Sequence, residues 1–189
     1  MSELKITFKL NDRDLGHLKH VMRQASALAK ENDLEKIVDS ALSMIQHARD
    51  AKPPAYVLER IGTLEDIASM VLDRDWRLPD SMAKRVCNAL AYFANPHDLI
   101  PDHVPVFGFL DDALMIEIVA REFRHELEGY YAFRSYRESQ RKRLTSPQQK
   151  SLLHTRLEAK RRQIRARIQH RRERDAAREA RSQRPFKLW

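Results

Sequence analysis

The stretch ALAYFANPHDLIPDHVPVFGFLDD, Ala89 to Asp112, decides how this chain folds. It opens on the end of a helix whose apolar positions Met82, Val86, Ala89, Leu90 and Phe93 recur at helical spacing, with Pro79 before them. Pro96 forbids that helix from continuing, because the residue before a proline avoids helical backbone. Pro96, Pro101 and Pro105 then fall within ten positions, each removing a backbone donor and stiffening the chain. Leu99, Ile100, Val104, Val106, Phe107, Phe109 and Leu110 make the connection too apolar to be left in water. It is expected to lie against helices, with Asp98, Asp102, Asp111 and Asp112 satisfying backbone groups at turns and helix starts. Gly108 would allow a positive φ or a close approach.

This run closely resembles the core motif of the YkvA-like family, bacterial proteins grouped as a domain of unknown function. The residues that carry the likeness are Pro96, Asp98, Leu99, Ile100, Pro101 and Asp102, followed by Pro105, Gly108, Asp111 and Asp112. The strong match runs from Met82 to about Ile116. The resemblance implies a small helical domain and brings with it no established reaction or ligand.

Outward from the motif, helical spacing dominates. Leu15, Leu18, Val21, Met22, Ala25, Leu28 and Ala29 draw one helix face, with Asn11 or Asp12 as its cap. Leu34, Ile37, Val38, Ala41, Leu42, Ile45 and Ala48 draw a second. Pro53-Pro54 can open a third through Val57, Leu58, Ile61, Leu64, Ile67, Ala68, Val71 and Leu72. On the other side of the motif, Ala113 to about Phe133 reads as a fifth helix, and Ser146-Pro147 opens a sixth, basic one to about Arg181. Before all of them, Lys5 to Leu10 alternates with a period of two and reads as a short strand, pairing with a second copy or a partner, or else as an extended arm. The expected fold is all-α: a compact five-helix domain with that short N-terminal strand and a long basic C-terminal helix. The domain takes residues 1–133 and the basic tail 134–189.

Charge divides the chain unevenly. Residues 134–189 hold 19 basic and 5 acidic residues, a net of +14, whereas residues 1–133 carry a net of −6. Charged residues are 33% of the whole, above the usual quarter, so part of the chain must be solvated. The lone Cys87 can form neither an internal disulfide nor a four-cysteine zinc site, which points to a reducing, cytoplasmic setting. The opening lacks the layout of a signal peptide, and no uncharged apolar run approaches the roughly 20 residues of a membrane span.

Candidate chemistry lies in two places. Asp98, Asp102, Asp111 and Asp112, with His97 or His103 nearby, supply the oxygen-rich set a hard cation wants, which leaves open a metal-dependent enzyme. Their spacing fits no calcium loop or zinc helix. The structural alternative makes Asp98 and Asp102 turn formers and Asp111 a helix cap, with Asp112 favoured by the dipole, and expects no cofactor. Cys87 lies beside Val86 and Leu90 on an apolar face and reads as core; His17 and His20, three apart, read as surface.

The second place is the tail. Arg161, Arg162, Arg165, Arg167, Arg171, Arg172, Arg174 and Arg178 spread nearly all round a helix, while Leu153, Leu157, Ile164 and Ile168 form a stripe roughly 60° wide. The guanidinium fork suits phosphate, and each phosphate neutralised releases counterions. These arginines are the expected nucleic-acid-binding residues. The chain is expected to be a non-enzymatic binding or adaptor protein whose tail engages RNA, a ribonucleoprotein surface or DNA while the acidic body contacts a protein partner.

Overall fold

The computed structural model describes residues 34–93, 110–143 and 151–182, with isolated positions between 11 and 24. Every regular element among them is helical: α1 (Leu34–Asp50), α2 (Ala55–Leu72), α3 (Asp80–Leu90), α4 (Leu110–Glu122), α5 (Arg124–Arg143) and α6 (Leu153–Ser182). The all-α expectation therefore holds. The strand expected at Lys5 to Leu10 and the Ser146-Pro147 opening lie outside the described residues.

The five-helix domain needs a correction. The element expected to run unbroken from Ala113 to about Phe133 is two helices, α4 and α5, and the second continues to Arg143. The break is a single residue, Phe123, whose carbonyl accepts from the Leu127 N–H at 2.9 Å. Val119, Phe123, Leu127 and Tyr130 keep helical spacing straight through it and are all buried. No glycine or proline marks the interruption, so hydrophobic periodicity passes over it.

The chain forms two compact units, one of Met1–Ala68 with Pro79–Val119, the other of Ser69–Leu78 with Ala120–Trp189. Ala120 to Phe133, assigned to the body on sequence, thus groups with the basic tail.

The first unit is built as its apolar spacing suggests. Asn11 Oδ1 accepts from the N–H groups of Arg13 (2.8 Å) and Asp14 (3.0 Å), and Asp14 Oδ2 accepts from the Asn11 N–H at 3.0 Å. That is a reciprocal cap at the start of the first helical pattern. Ile37, Val38, Ala41, Ile45 and Ala48 of α1, Val57, Ile61, Leu64, Ile67 and Ala68 of α2, and Met82, Val86, Cys87, Ala89 and Leu90 of α3 are buried. Leu58 and Leu72, expected on the same face of α2, are exposed. The prolines start helices as anticipated: the Pro54 carbonyl accepts from Val57 (2.9 Å) and Leu58 (3.2 Å), and the Pro79 carbonyl from Met82 and Ala83, both at 2.8 Å. Arg49 pairs with Glu65 at 2.6 Å and Arg60 with Glu117 at 3.0 Å, tying α1 to α2 and α2 to α4.

The second unit is an antiparallel hairpin of α5 and α6 with the segment Ser69–Leu78 held against it. Arg124 and His125 meet Asp175, Glu126 meets Arg172, Glu128 meets Arg171, Gly129 lies under Ile164 and Ile168, and Gln140 accepts from Arg156. As one helix number rises the other falls, which is the signature of antiparallel helices. Leu157, Ile164 and Ile168 are buried and Leu153 is half-buried, so the expected apolar stripe is the docked face.

Candidate nucleic-acid interface

Segment 69–78 accounts for two of the arginines of α6. Asp73 ends α2 and turns the chain: its Oδ1 accepts from the N–H groups of Asp75 (2.9 Å) and Trp76 (3.0 Å), and its carbonyl accepts from Arg77 at 2.9 Å. Arg77 takes a left-handed φ of 50°, a conformation that costs a side-chain-bearing residue about 1–2 kcal/mol. The turn drives Trp76 inward, where it is 1% exposed, its ring 5.9 Å from Tyr130 and 5.2 Å from Phe133.

The carbonyls left by this turn have no helix or sheet to satisfy them. Arginines do so. Arg161 donates to the Asp75 carbonyl at 2.9 Å, and Arg165 donates to those of Trp76 (2.9 Å) and Arg77. Arg165 also sits over the Trp76 ring, 5.8 Å from its centroid. Burial, then the Arg161 charge, pushes the Arg165 guanidinium down from its ordinary value, yet arginine remains charged. On the α5 side, Arg137 pairs with Asp73 at 2.7 Å and with Asp75 at 3.0 Å, while the Tyr130 hydroxyl donates to Asp73 at 3.1 Å.

Asp73 and Arg137 are the electrostatic centre of the unit. Burial works to raise the Asp73 carboxyl, but the Arg137 hydrogen bond and charge and the Trp76 and Asp75 N–H groups outweigh it and hold the group below its ordinary value. Arg137 is raised above its own, chiefly by its hydrogen bond to Asp73. Asp73, Trp76, Tyr130 and Arg137 were not singled out from sequence. The available signal was an acidic residue after a helix and a tryptophan ahead of Pro79.

The eight arginines expected to bind nucleic acid therefore fall into groups. Arg161 and Arg165 hold the Trp76 turn. Arg171 and Arg172 pair with Glu128 and Glu126 of α5, and Arg162 pairs with Glu158 one turn earlier on α6. Arg167, Arg174 and Arg178 are exposed and have no partner among the described residues. At about 100° per residue these three fall within an arc of about 40°, on the flank of α6 about 80° round from its buried stripe, and span about 16 Å along its axis.

Loss of α6 would strip the turn of Arg161 and Arg165 and take the Arg165 guanidinium from the face of Trp76.

The proline-rich motif is described only at its end. Pro96, Asp98, Leu99, Ile100, Pro101, Asp102, Pro105 and Gly108, with His97 and His103, lie outside the described residues. Asp111 and Asp112 fall in the first turn of α4, which begins one residue before Asp111; Asp111 is buried. Carboxylates there are favoured by the helix dipole. No group of three or more His, Cys, Asp or Glu able to hold a metal occurs among the described residues. Cys87 is buried, as expected of a core residue, and His17 and His20 are exposed. Among the described residues no helix is long and apolar enough to cross a membrane.

Residues 85–118 match the profile of a family described as a protein of unknown function (DUF1232). The match covers the segment on which the YkvA-like resemblance rests and is consistent with it. No curated protein and no solved structure matches the chain.

Proposed function

We propose that this is a non-enzymatic binding protein in which α6 engages the phosphates of RNA, of a ribonucleoprotein surface or of DNA, while the acidic first unit contacts a protein partner. The observation that carries the reading is the row Arg167, Arg174 and Arg178, without partners among the described residues, on a helix that holds 11 basic and 4 acidic residues. Intramolecular partners account for Arg161, Arg165, Arg171, Arg172 and Arg162, so those five explain themselves by folding. The remaining three contribute nothing visible to the hairpin, and exposed guanidinium groups in a row are matched by a polyanion.

The test is the triple replacement Arg167→Gln, Arg174→Gln, Arg178→Gln in the full chain, with binding to nucleic acid followed across a salt series. The intact protein should bind with a steep salt dependence, and the variant should lose about 2–3 units of log–log slope, since each phosphate contact contributes about 0.9 on a duplex and 0.7 on a single strand. Circular dichroism, and Trp76 fluorescence in a Trp189→Phe background, should stay unchanged, because none of the three touches the hairpin core. Equal binding by variant and intact protein at the same salt would sink the reading, as would an intact protein that binds no nucleic acid at low salt.

A further inference from the structure

We infer that the polyanion α6 recognises is a duplex, held by its backbone rather than read by its bases; this rests on the reading above and narrows it. Residues 153–182 contain no Phe, Tyr or Trp. Sequence-tolerant single-strand binding draws much of its affinity from bases stacked on aromatic side chains, and this helix offers none. Between the three arginines its other exposed positions are Gln169, His170, Glu173, Ala176 and Ala177, none of them aromatic.

Rigidity points the same way. α6 is held on α5 through Ile164 and Ile168, which meet Gly129, and through the Arg171–Glu128 and Arg172–Glu126 pairs, so its charges are carried on a docked helix. Over the span of Arg167 to Arg178 a duplex presents about ten phosphates, one per 1.7 Å of axis, already fixed in place. A single strand presents about half as many and must first be straightened along the helix, losing conformational freedom with no stacking in return. Arg167, Arg174 and Arg178, about 10 and 6 Å apart along the axis, thus gain more from the stiffer and denser lattice. Phosphate contacts place a protein without specifying sequence, so binding should be indifferent to the duplex read.

The experiment compares duplex DNA, duplex RNA and the corresponding single strands, of equal length and at one ionic strength, against the full-length protein. Either duplex should bind about 10-fold or more tightly than its single strand, and the salt slope should be steeper for the duplex. Scrambling the duplex sequence should change affinity by less than about 2-fold. A second arm uses a chain lacking residues 185–189, which removes Phe186 and Trp189. Duplex preference should persist in it. Single strands binding as tightly as duplexes would overturn this inference while leaving the proposed function in place, and so would single-strand binding that depends on Phe186 and Trp189. Failure of every nucleic acid to bind would overturn both.

Discussion

Alanine at Gly129 tests the hairpin directly. A methyl group built there meets Ile168 Cδ1 at 2.6 Å, Ile164 Cγ2 at 3.0 Å and Ile168 Cγ1 at 3.3 Å. Ordinary carbon contacts lie at about 3.5–4.0 Å, so Ile168 must yield by about 1 Å and Ile164 by about half that. Overpacking of this kind costs roughly 1–3 kcal/mol. Removing a glycine from a helix interior returns about 1 kcal/mol. Ile168 lies at the edge of the stripe and can turn its terminal methyl aside, which keeps the cost near the middle of that range. The net is a loss of about 1 kcal/mol for Gly129→Ala. Gly62 provides the control, for it is also helical but nothing lies within 4 Å of an added methyl. There the same replacement should gain about 0.5–1 kcal/mol. The assay is urea unfolding, followed by circular dichroism for both variants. For Gly129→Ala, Trp76 fluorescence in a Trp189→Phe background adds a probe of the second unit alone. If Gly129→Ala stabilises as much as Gly62→Ala, α5 and α6 do not approach as closely as described.

Three further outcomes follow from the buried groups. Because the folded-state Asp73 carboxyl is held below its ordinary 3.8, the stability it contributes is complete above about pH 4 and is lost as pH falls through the depressed value. Asp73→Asn should cost about 3 kcal/mol near neutrality and flatten the acid limb of the stability curve, since it leaves Arg137 short of a partner; acid limbs that fall in parallel would exonerate Asp73. Burial, then the charge and hydrogen bond of Asp73, pushes the Tyr130 phenol up to about 12, so the folded state should lose stability as pH climbs from 10 towards that value. The tyrosinate absorbance difference between wild type and Tyr130→Phe should rise near 12, and a midpoint near 10 would place the phenol in water. Burial pushes the Cys87 thiol up to about 11, so alkylation at pH 8 should be about 100-fold or more slower than in urea. Equal rates would mean that the α3 face is open.

Much of the helical content was legible because it rests on local rules. Spacings of three and four marked the buried faces of α1, α2 and α3, prolines marked the starts of α2 and α3, and Asn11 was readable as a cap. The break at Phe123 was not, since the buried set steps through it in register. On α6 the stripe of Leu157, Ile164 and Ile168 was visible, but Arg161, 8% exposed, belongs to that same face. Its acceptor is the Asp75 carbonyl, and a backbone carbonyl has no letter in a sequence. The same holds for Arg165 on Trp76 and Arg77. Composition could count the arginines but could not separate those that satisfy a turn from those left facing water. Only the fold, by bringing segment 69–78 to the hairpin, makes that division.

The 89 positions that separate Arg165 from Trp76 also set an order of events in biosynthesis. A chain made from its N-terminus emerges with Trp76, then its ring neighbours Tyr130 and Phe133, well before the Arg165 guanidinium that sits over the Trp76 ring. Until translation has passed codon 165, the Trp76 turn lacks the arginines that satisfy its carbonyls, and long-range closure is intrinsically slow once it begins. A product ended by a premature stop anywhere before that point would lack one or both of them for good. Possession of α6 therefore separates a chain that can satisfy the Trp76 turn from a fragment that stops short of it, and exposed apolar surface is what chaperones and proteases sample.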